Sequence, residues 1–315
     1  MGKKYKYLFG PVPSRRFGWS LGIDLLPFKT CSLDCLFCQL GRTTDKTITR
    51  KDFVPVAEVR AELDDWLAAG GQADYLTLSG SGEPTLHSEF GKVLQHLENQ
   101  AIPSVLLTNG TLLNDPAVRQ EAGRAKVVKV SLSAWDQSSF QRVNRPNPEL
   151  TFERLLEGQK QFRDQFEGKL WMEVFLMPGI NARPDEVEQI AAHVNSIGPD
   201  RVHLNTVVRP PAEDYAAPLS RERLTALTRM FKPEAEIIAD LGPSATQDVK
   251  ADTDSILAML RRRPCTMAQL GKSFGLHPNE ISKYLGQLSR DQKIISTSEG
   301  TDVYYSAVTG ENNES

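Results

Sequence analysis

Residues 29–41 read KTCSLDCLFCQLG, and three cysteines in this run, Cys31, Cys35 and Cys38, stand in the spacing Cys-x-x-x-Cys-x-x-Cys. The chain's only other cysteine, Cys265, lies far downstream. Three thiolates this close can hold three corners of an iron–sulfur cube, whereas a closed zinc site needs a fourth ligand. A cube with three protein ligands leaves one iron open, and an open iron suits chemistry better than structure. A zinc site completed by a distant histidine or by Cys265 remains the alternative at this point. Four cysteines with three of them clustered do not make a disulfide framework; metal or redox use in a reducing cytoplasm fits better.

Outward from the cysteines, two periodicities alternate. Val59, Leu63, Trp66 and Leu67 recur at helical spacing and end at Gly70–Gly71. The run DYLTLSG (74–80) then predicts a buried strand. Phe90, Val93, Leu94 and Leu97 predict a helix, followed by the strand SVLLTNG (104–110). Further strands are read at VVKVSLS (127–133), LWMEVFLMPG (170–179) and RVHLNTVVRP (201–210), with helices around 152–166 and along Val187, Ile190, Ala191 and Val194. Strands alternating with helices predict an α/β fold with a parallel sheet, either barrel-like or doubly wound.

The segment TLSGSGEPTL (77–86) follows a predicted strand. Gly80 and Gly82 allow the backbone to approach a ligand closely, and Glu83 adds a carboxylate at a strand's C-terminal end, where barrel sites are built. Thr108-Asn109-Gly110, Ser131, Ser133 and Asn205 offer polar groups at later strand ends, although Asn109-Gly110 is also an ordinary turn signal. Asn144 and Arg145 in QRVNRP are candidates to face the same site. The adjacent Arg15 and Arg16 could clamp a phosphate or carboxylate. The five histidines are scattered, with no His-x-x-x-His pairing; His87 reads as a loop residue and Cys265 as a small buried apolar one.

Taken together, the three-cysteine spacing and the Ser81-Gly82-Glu83 turn resemble the signature of the radical S-adenosylmethionine (SAM) superfamily. The resemblance implies a partial (β/α)6 TIM-like barrel over residues 1–240. It implies a 4Fe–4S cluster on Cys31, Cys35 and Cys38, with SAM chelated to the open iron and split reductively to methionine and a 5′-deoxyadenosyl radical. It further implies Phe37 beside the SAM adenine, Gly80, Gly82 and Glu83 at its amino group, Asn109 and Ser133 at its carboxylate or ribose, and Asn205 near adenine. An electron donor such as a flavodoxin or ferredoxin is implied as a partner. The runs YLFGPVPSRRFGWSLGIDLLPFKTC (7–31), CQLGRTT (38–44) and NTVVRPP (205–211) narrow the resemblance to the branch grouped with the wyosine-tRNA synthases. This makes an RNA base the leading substrate expectation. Those synthases carry a second cluster on three further cysteines, which this sequence does not hold.

Composition shifts at LGPSATQDVKADT (241–253), which reads as a linker. Beyond it, three helical patterns and a hairpin with its turn at Glu299–Gly300 resemble a winged helix-turn-helix over 254–308, and 309–315 reads as a disordered tail. The third helix offers Asn279, Ser282, Lys283 and Arg290 against Glu280 and Asp291, so either a nucleic acid or a protein is an expected partner. The formal net charge of −3 gives no global polyanion signal. No apolar run approaches the ~18 residues of a membrane span, and the opening residues lack a signal-peptide core; the expectation is a cytoplasmic protein. Two functions follow from these readings: a radical SAM enzyme, or an iron–sulfur redox sensor acting through the winged helix.

Overall fold

A computed structural model describes residues 5–14, 16–208, 211–239, 253–274, 276, 278–299 and 302–308. In chain order the N-terminal part comprises β1 (Leu8–Ser14), β2 (Gly18–Ile23), a short ladder of β3 (Thr30–Cys31) and β4 (Asp45–Lys46), then α1 (Val56–Ala68), β5 (Tyr75–Leu78), α2 (Phe90–Leu97), β6 (Ser104–Thr108), α3 (Pro116–Ala122), β7 (Val127–Ser131), α4 (Gln137–Asn144), α5 (Phe152–Gln165), β8 (Lys169–Phe175), α6 (Pro184–Ile197), β9 (Arg201–Asn205), α7 (Arg221–Leu227) and β10 (Glu236–Ile237). The main sheet runs β1-β2-β5-β6-β7-β8-β9-β10. All its neighbours pair in parallel except β1, an antiparallel edge on β2. The order follows the sequence, without the reversal that marks a doubly wound sheet.

Side chains on the strands alternate between two environments, as the two-residue period of a strand requires. Leu76, Leu78, Leu106, Val128, Val130, Met172, Val174, Val202 and Leu204 point into the principal core, where α1, α2 and the later helices pack. The intervening positions face the other way. Phe17, Val105, Val127 and Trp171 form a plug there, with Phe17 stacked on Trp171 at 5.0 Å between centroids. One pleat further along the same strands, this inner face turns polar at Lys129, Ser131 and Glu173. The plug closes one end of the inner face, and the polar groups gather toward the strands' C-terminal ends.

The C-terminal elements are α8 (Thr253–Arg262), β11 (Cys265–Thr266), α9 (Met267–Phe274), α10 (Pro278–Arg290), β12 (Ile294–Glu299) and β13 (Asp302–Ala307), with a three-stranded sheet ordered β11-β13-β12. Ile256, Leu260, Leu270, Ile281, Leu285 and Leu288 form a second core. Trp19 of β2 belongs to it and is only 4% exposed, and Val12 of β1 packs against it. Asn279, Ser282, Lys283 and Arg290 are exposed along α10. Residues 241–252 of the expected linker, the Gly300 side of the expected turn, the expected tail 309–315, Arg15 and His277 lie outside the described residues.

Candidate active site

The loop bearing the cysteines is held from both sides. Helix α4 opens on a capping box between Asp136 and Ser139, and its C-terminal carbonyls, which a helix cannot satisfy internally, accept from the loop. Asp34 N–H donates to Asn144 O at 3.0 Å and Leu36 N–H to Val143 O at 3.1 Å. On the other side Lys29 N–H donates to Ser81 O at 2.7 Å and Glu83 N–H to Thr30 O at 3.2 Å. This contact explains the glycines. A Cβ on Gly82 would lie 1.6 Å from Thr30 O, and one on Gly80, whose φ is +146°, would strike the Asp24 carboxylate. Where the sequence offered close approach to a ligand as the reason, the structure shows another: the Thr30 backbone and the Asp24 side chain already occupy the space.

Cys31, Cys35 and Cys38 border one cavity of about 260 Å³, together with Phe37, Gly82, Glu83, Asn109 and Ser133. Each sulfur has one side-chain N–H donor: Asn109 Nδ2 to Cys31 at 3.6 Å, Asn144 Nδ2 to Cys35 at 3.2 Å, and Lys29 Nζ to Cys38 at 3.1 Å. Burial, reinforced by the Glu83 carboxylate, pushes the Cys31 thiol up to about 12, and burial with Cys31 beside it raises Cys35 as well. Bound metal cations reverse that preference and hold thiolates. Among the described residues no three His, Cys, Asp or Glu side chains converge to hold a single metal ion. The sulfurs instead stand round an opening. Cys265, offered above as a fourth zinc ligand, is buried in the second core with its Sγ 3.7 Å from Arg263 O. The donor set fits a three-ligand cluster better than a closed zinc site.

Glu83 is 2% exposed and serves as a hub. Its Oε1 accepts from Thr85 N–H at 3.1 Å, Thr85 Oγ1 at 2.7 Å and Thr108 Oγ1 at 2.6 Å, and its Oε2 from Asn109 N–H at 2.7 Å. Burial pushes its carboxyl above the ordinary value against the pull of these donors. A carboxylate offers about four acceptor positions, so the room left lies at Oε2. Asn109 Oδ1 accepts from Thr111 N–H and its Nδ2 donates to Ser32 Oγ at 2.9 Å. Ser133 Oγ accepts from Phe175 N–H at 2.9 Å. Phe37 stacks on Phe175 at 4.1 Å.

A second cavity of about 320 Å³ adjoins the first, sharing Phe37, Lys129, Ser131 and Ser133. Gly80 and Asn205 line this one, not the cysteine cavity. Asn205 Nδ2 donates to Glu173 Oε1 at 2.8 Å. Glu173 also pairs with Arg16 and, at 2.7 Å, with Lys129. Burial alone would raise its pKa, but the two cations hold it well below the usual carboxylate range. Arg145 caps α4 in the left-handed region and pairs with Asp34 and Glu213, away from both cavities. His87 is fully buried with Nε2 at Val54 O and Nδ1 accepting from Glu89 N–H, a structural role.

Sequence reasoning missed Lys29, Lys129 and Glu173. Two of them carried a signal, since Lys129 and Glu173 are the lone charges inside otherwise apolar strand runs on neighbouring strands. The basic run Arg261–Arg263 reads from the sequence as a candidate phosphate contact, but Arg262 is taken up by an internal ion pair. Arg262 reaches from α8 to Asp24, donates to Ser81 Oγ at 3.0 Å and lies 3.9 Å over the Phe9 ring.

The Radical SAM superfamily model matches residues 25–194, more than half of the chain. A protein called UPF0026 protein MJ1312 from Methanocaldococcus jannaschii is 34% identical over 225 residues, 71% of this chain and 70% of that one. A protein called GTPase Obg from Brachyspira hyodysenteriae is 35% identical over 297 residues, and the chain spans only 44% of its length. The solved structure of TYW1 with a lysine-pyruvate adduct bound superposes with a TM-score of 0.51 at 17% identity, over 72% of this chain and 76% of that one, which is a likeness of fold. The chain belongs to the radical SAM superfamily.

Proposed function

We propose that this radical SAM protein is an enzyme that holds a 4Fe–4S cluster on Cys31, Cys35 and Cys38 and binds SAM in the cysteine-lined cavity. When bound, the cluster supplies the electron that cleaves SAM to methionine and a 5′-deoxyadenosyl radical. The observation that carries this reading is the convergence of three sulfurs, Glu83, Asn109, Ser133 and Phe37 on one cavity. In it Glu83 Oε2 would accept from the SAM amino group beside Gly82, Asn109 and Ser133 would hold the carboxylate or ribose, and Phe37 would flank the adenine. Gly80 and Asn205 bound the adjoining cavity, which would hold the substrate. Lys29, Asn109 and Asn144 orient the thiolates and stabilise their charge.

The finer architecture belongs to the same proposal: a partial (β/α)6 barrel over 1–240 and a winged helix over 254–308. The winged helix recruits a partner, and a flavodoxin or ferredoxin delivers the electron. An RNA base is the first substrate to assay, on family grounds. A redox sensor would have no need of a second, polar cavity beside the cysteines, so the enzyme reading is preferred. Anaerobic reconstitution tests it. The expected result is about four irons per chain and 5′-deoxyadenosine on reduction with SAM, both lost in Cys35→Ala. Stoichiometric zinc without iron after anaerobic preparation would overturn it.

A further inference from the structure

We infer that the cavity adjoining the cysteines is an anion site: it takes the phosphate or carboxylate group of the substrate between Arg16 of the β1–β2 turn, Lys129 of β7 and Arg263 just beyond α8. The inference rests on the reading of that cavity as the substrate's place. Among the described residues its ionisable lining is four cations, Arg16, Lys129, Arg262 and Arg263, against the single carboxylate of Glu173. Arg262 is committed to Asp24. Arg16 and Lys129 share one carboxylate, and Arg16 Nε is buried with no hydrogen-bond partner among the described residues. A buried guanidinium N–H without an acceptor is costly, and an anionic oxygen would satisfy it. The cationic excess is local, because the chain as a whole carries a net charge of −3.

The volume, about 320 Å³, matches a small-molecule group and lies at the low end of ligand pockets. Ser131 and Ser133 sit on the shared wall, so an anion held here would place the rest of its molecule toward the cysteine cavity. The Arg262 contacts with Asp24, Ser81 and Phe9 fix the end of α8 against the sheet and thereby bring Arg263 to the cavity. The C-terminal unit therefore completes the substrate site as well as offering a surface to partners.

Titration calorimetry on the full chain tests this, with inorganic pyrophosphate and malonate as separate probes. Titrating both before and after cluster reconstitution separates this inference from the cluster assignment, which iron content tests alone. Saturable binding of either probe in moderate salt is expected, and the preferred probe tells a phosphorylated from a carboxylated substrate. Arg263→Gln should weaken the preferred probe about tenfold, the loss of one charge-assisted contact, and Arg16→Gln should do so as well. Arg263 stands outside the Glu173 pair, so its variant remains informative if Arg16→Gln fails to fold. Absence of saturable binding by both probes, or an unchanged dissociation constant in Arg263→Gln, would overturn the anion site.

Discussion

Glu83→Gln is the most informative single substitution, because Glu83 ties β5, β6 and the cysteine loop together. Three donors meet its Oε1 and one, the Asn109 amide, meets Oε2. The threonine hydroxyls can turn to accept, but the backbone N–H groups of Thr85 and Asn109 cannot. A glutamine must aim its NH2 at one of them, and the better choice leaves the Asn109 N–H without a partner. An orphaned buried donor costs about 1–3 kcal/mol. Relief of the buried charge offsets part of this, as the raised pKa of the carboxyl indicates. A net loss of about 2 kcal/mol corresponds to roughly 4–8 °C in melting temperature for a domain of this size. Differential scanning calorimetry on the metal-free chain measures it without reference to catalysis. SAM affinity of the cluster-loaded variant should fall as well, through lost charge at Oε2. A melting temperature within about 1 °C of the parent would refute the hub, whatever happened to SAM binding.

Glu173→Gln should cost about 3–5 kcal/mol of stability, since it strands the buried Arg16 and Lys129 charges; denaturant unfolding checks this, and a loss below about 1 kcal/mol would count against the pair. Burial, with the Arg16 charge beside it, lowers the His203 pKa from 6.5 to about 4. The unfolded chain therefore takes up that proton first, so the stability His203 contributes is complete above about 6.5 and is lost as pH falls toward about 4. A pH series of unfolding curves should show a gentler decline for His203→Asn than for the parent, and parallel curves would exclude His203 as the source. Asn144→Leu removes the donor to Cys35 Sγ and should lower the cluster's reduction potential by up to about 40 mV, the equivalent of roughly 1 kcal/mol for one electron; an unchanged midpoint in an EPR-monitored titration would refute that tuning role. A chain ended at Ala251 should melt well below the full chain, because it uncovers Trp19, whose roughly 200 Å² of apolar surface is worth up to about 5 kcal/mol; equal melting temperatures would show that the two cores are independent.

The longer helices and the parallel strands β5 to β9 were legible because their cause is local, whereas the short helices α3, α4 and α7 were not read. Apolar residues at spacings of three and four or of two select one face for burial, and neighbouring segments with complementary faces pack in chain order. The opening strands β1 and β2 escaped that reading. β1 carries Gly10, Pro11 and Pro13, which break the period, and it is an antiparallel edge stabilised by its pairing with β2. The cysteine cluster was legible for a similar reason, since three ligands within eight residues need no tertiary knowledge to be brought near one another.

The sequence by itself determined the α/β alternation, the three-cysteine loop and the acidic turn that follows it, because each depends on residues close along the chain. The tertiary structure alone decided which groups meet across it. Glu83 faces the Asn109 amide because strand order sets β6 beside β5; Glu173 meets Lys129 because β8 registers against β7. Arg262 reaches Asp24 because the C-terminal core closes over Trp19. Electrostatic and hydrogen-bond partners are fixed by distance in space, and pairs separated by tens or hundreds of residues leave no periodicity for a sequence to display.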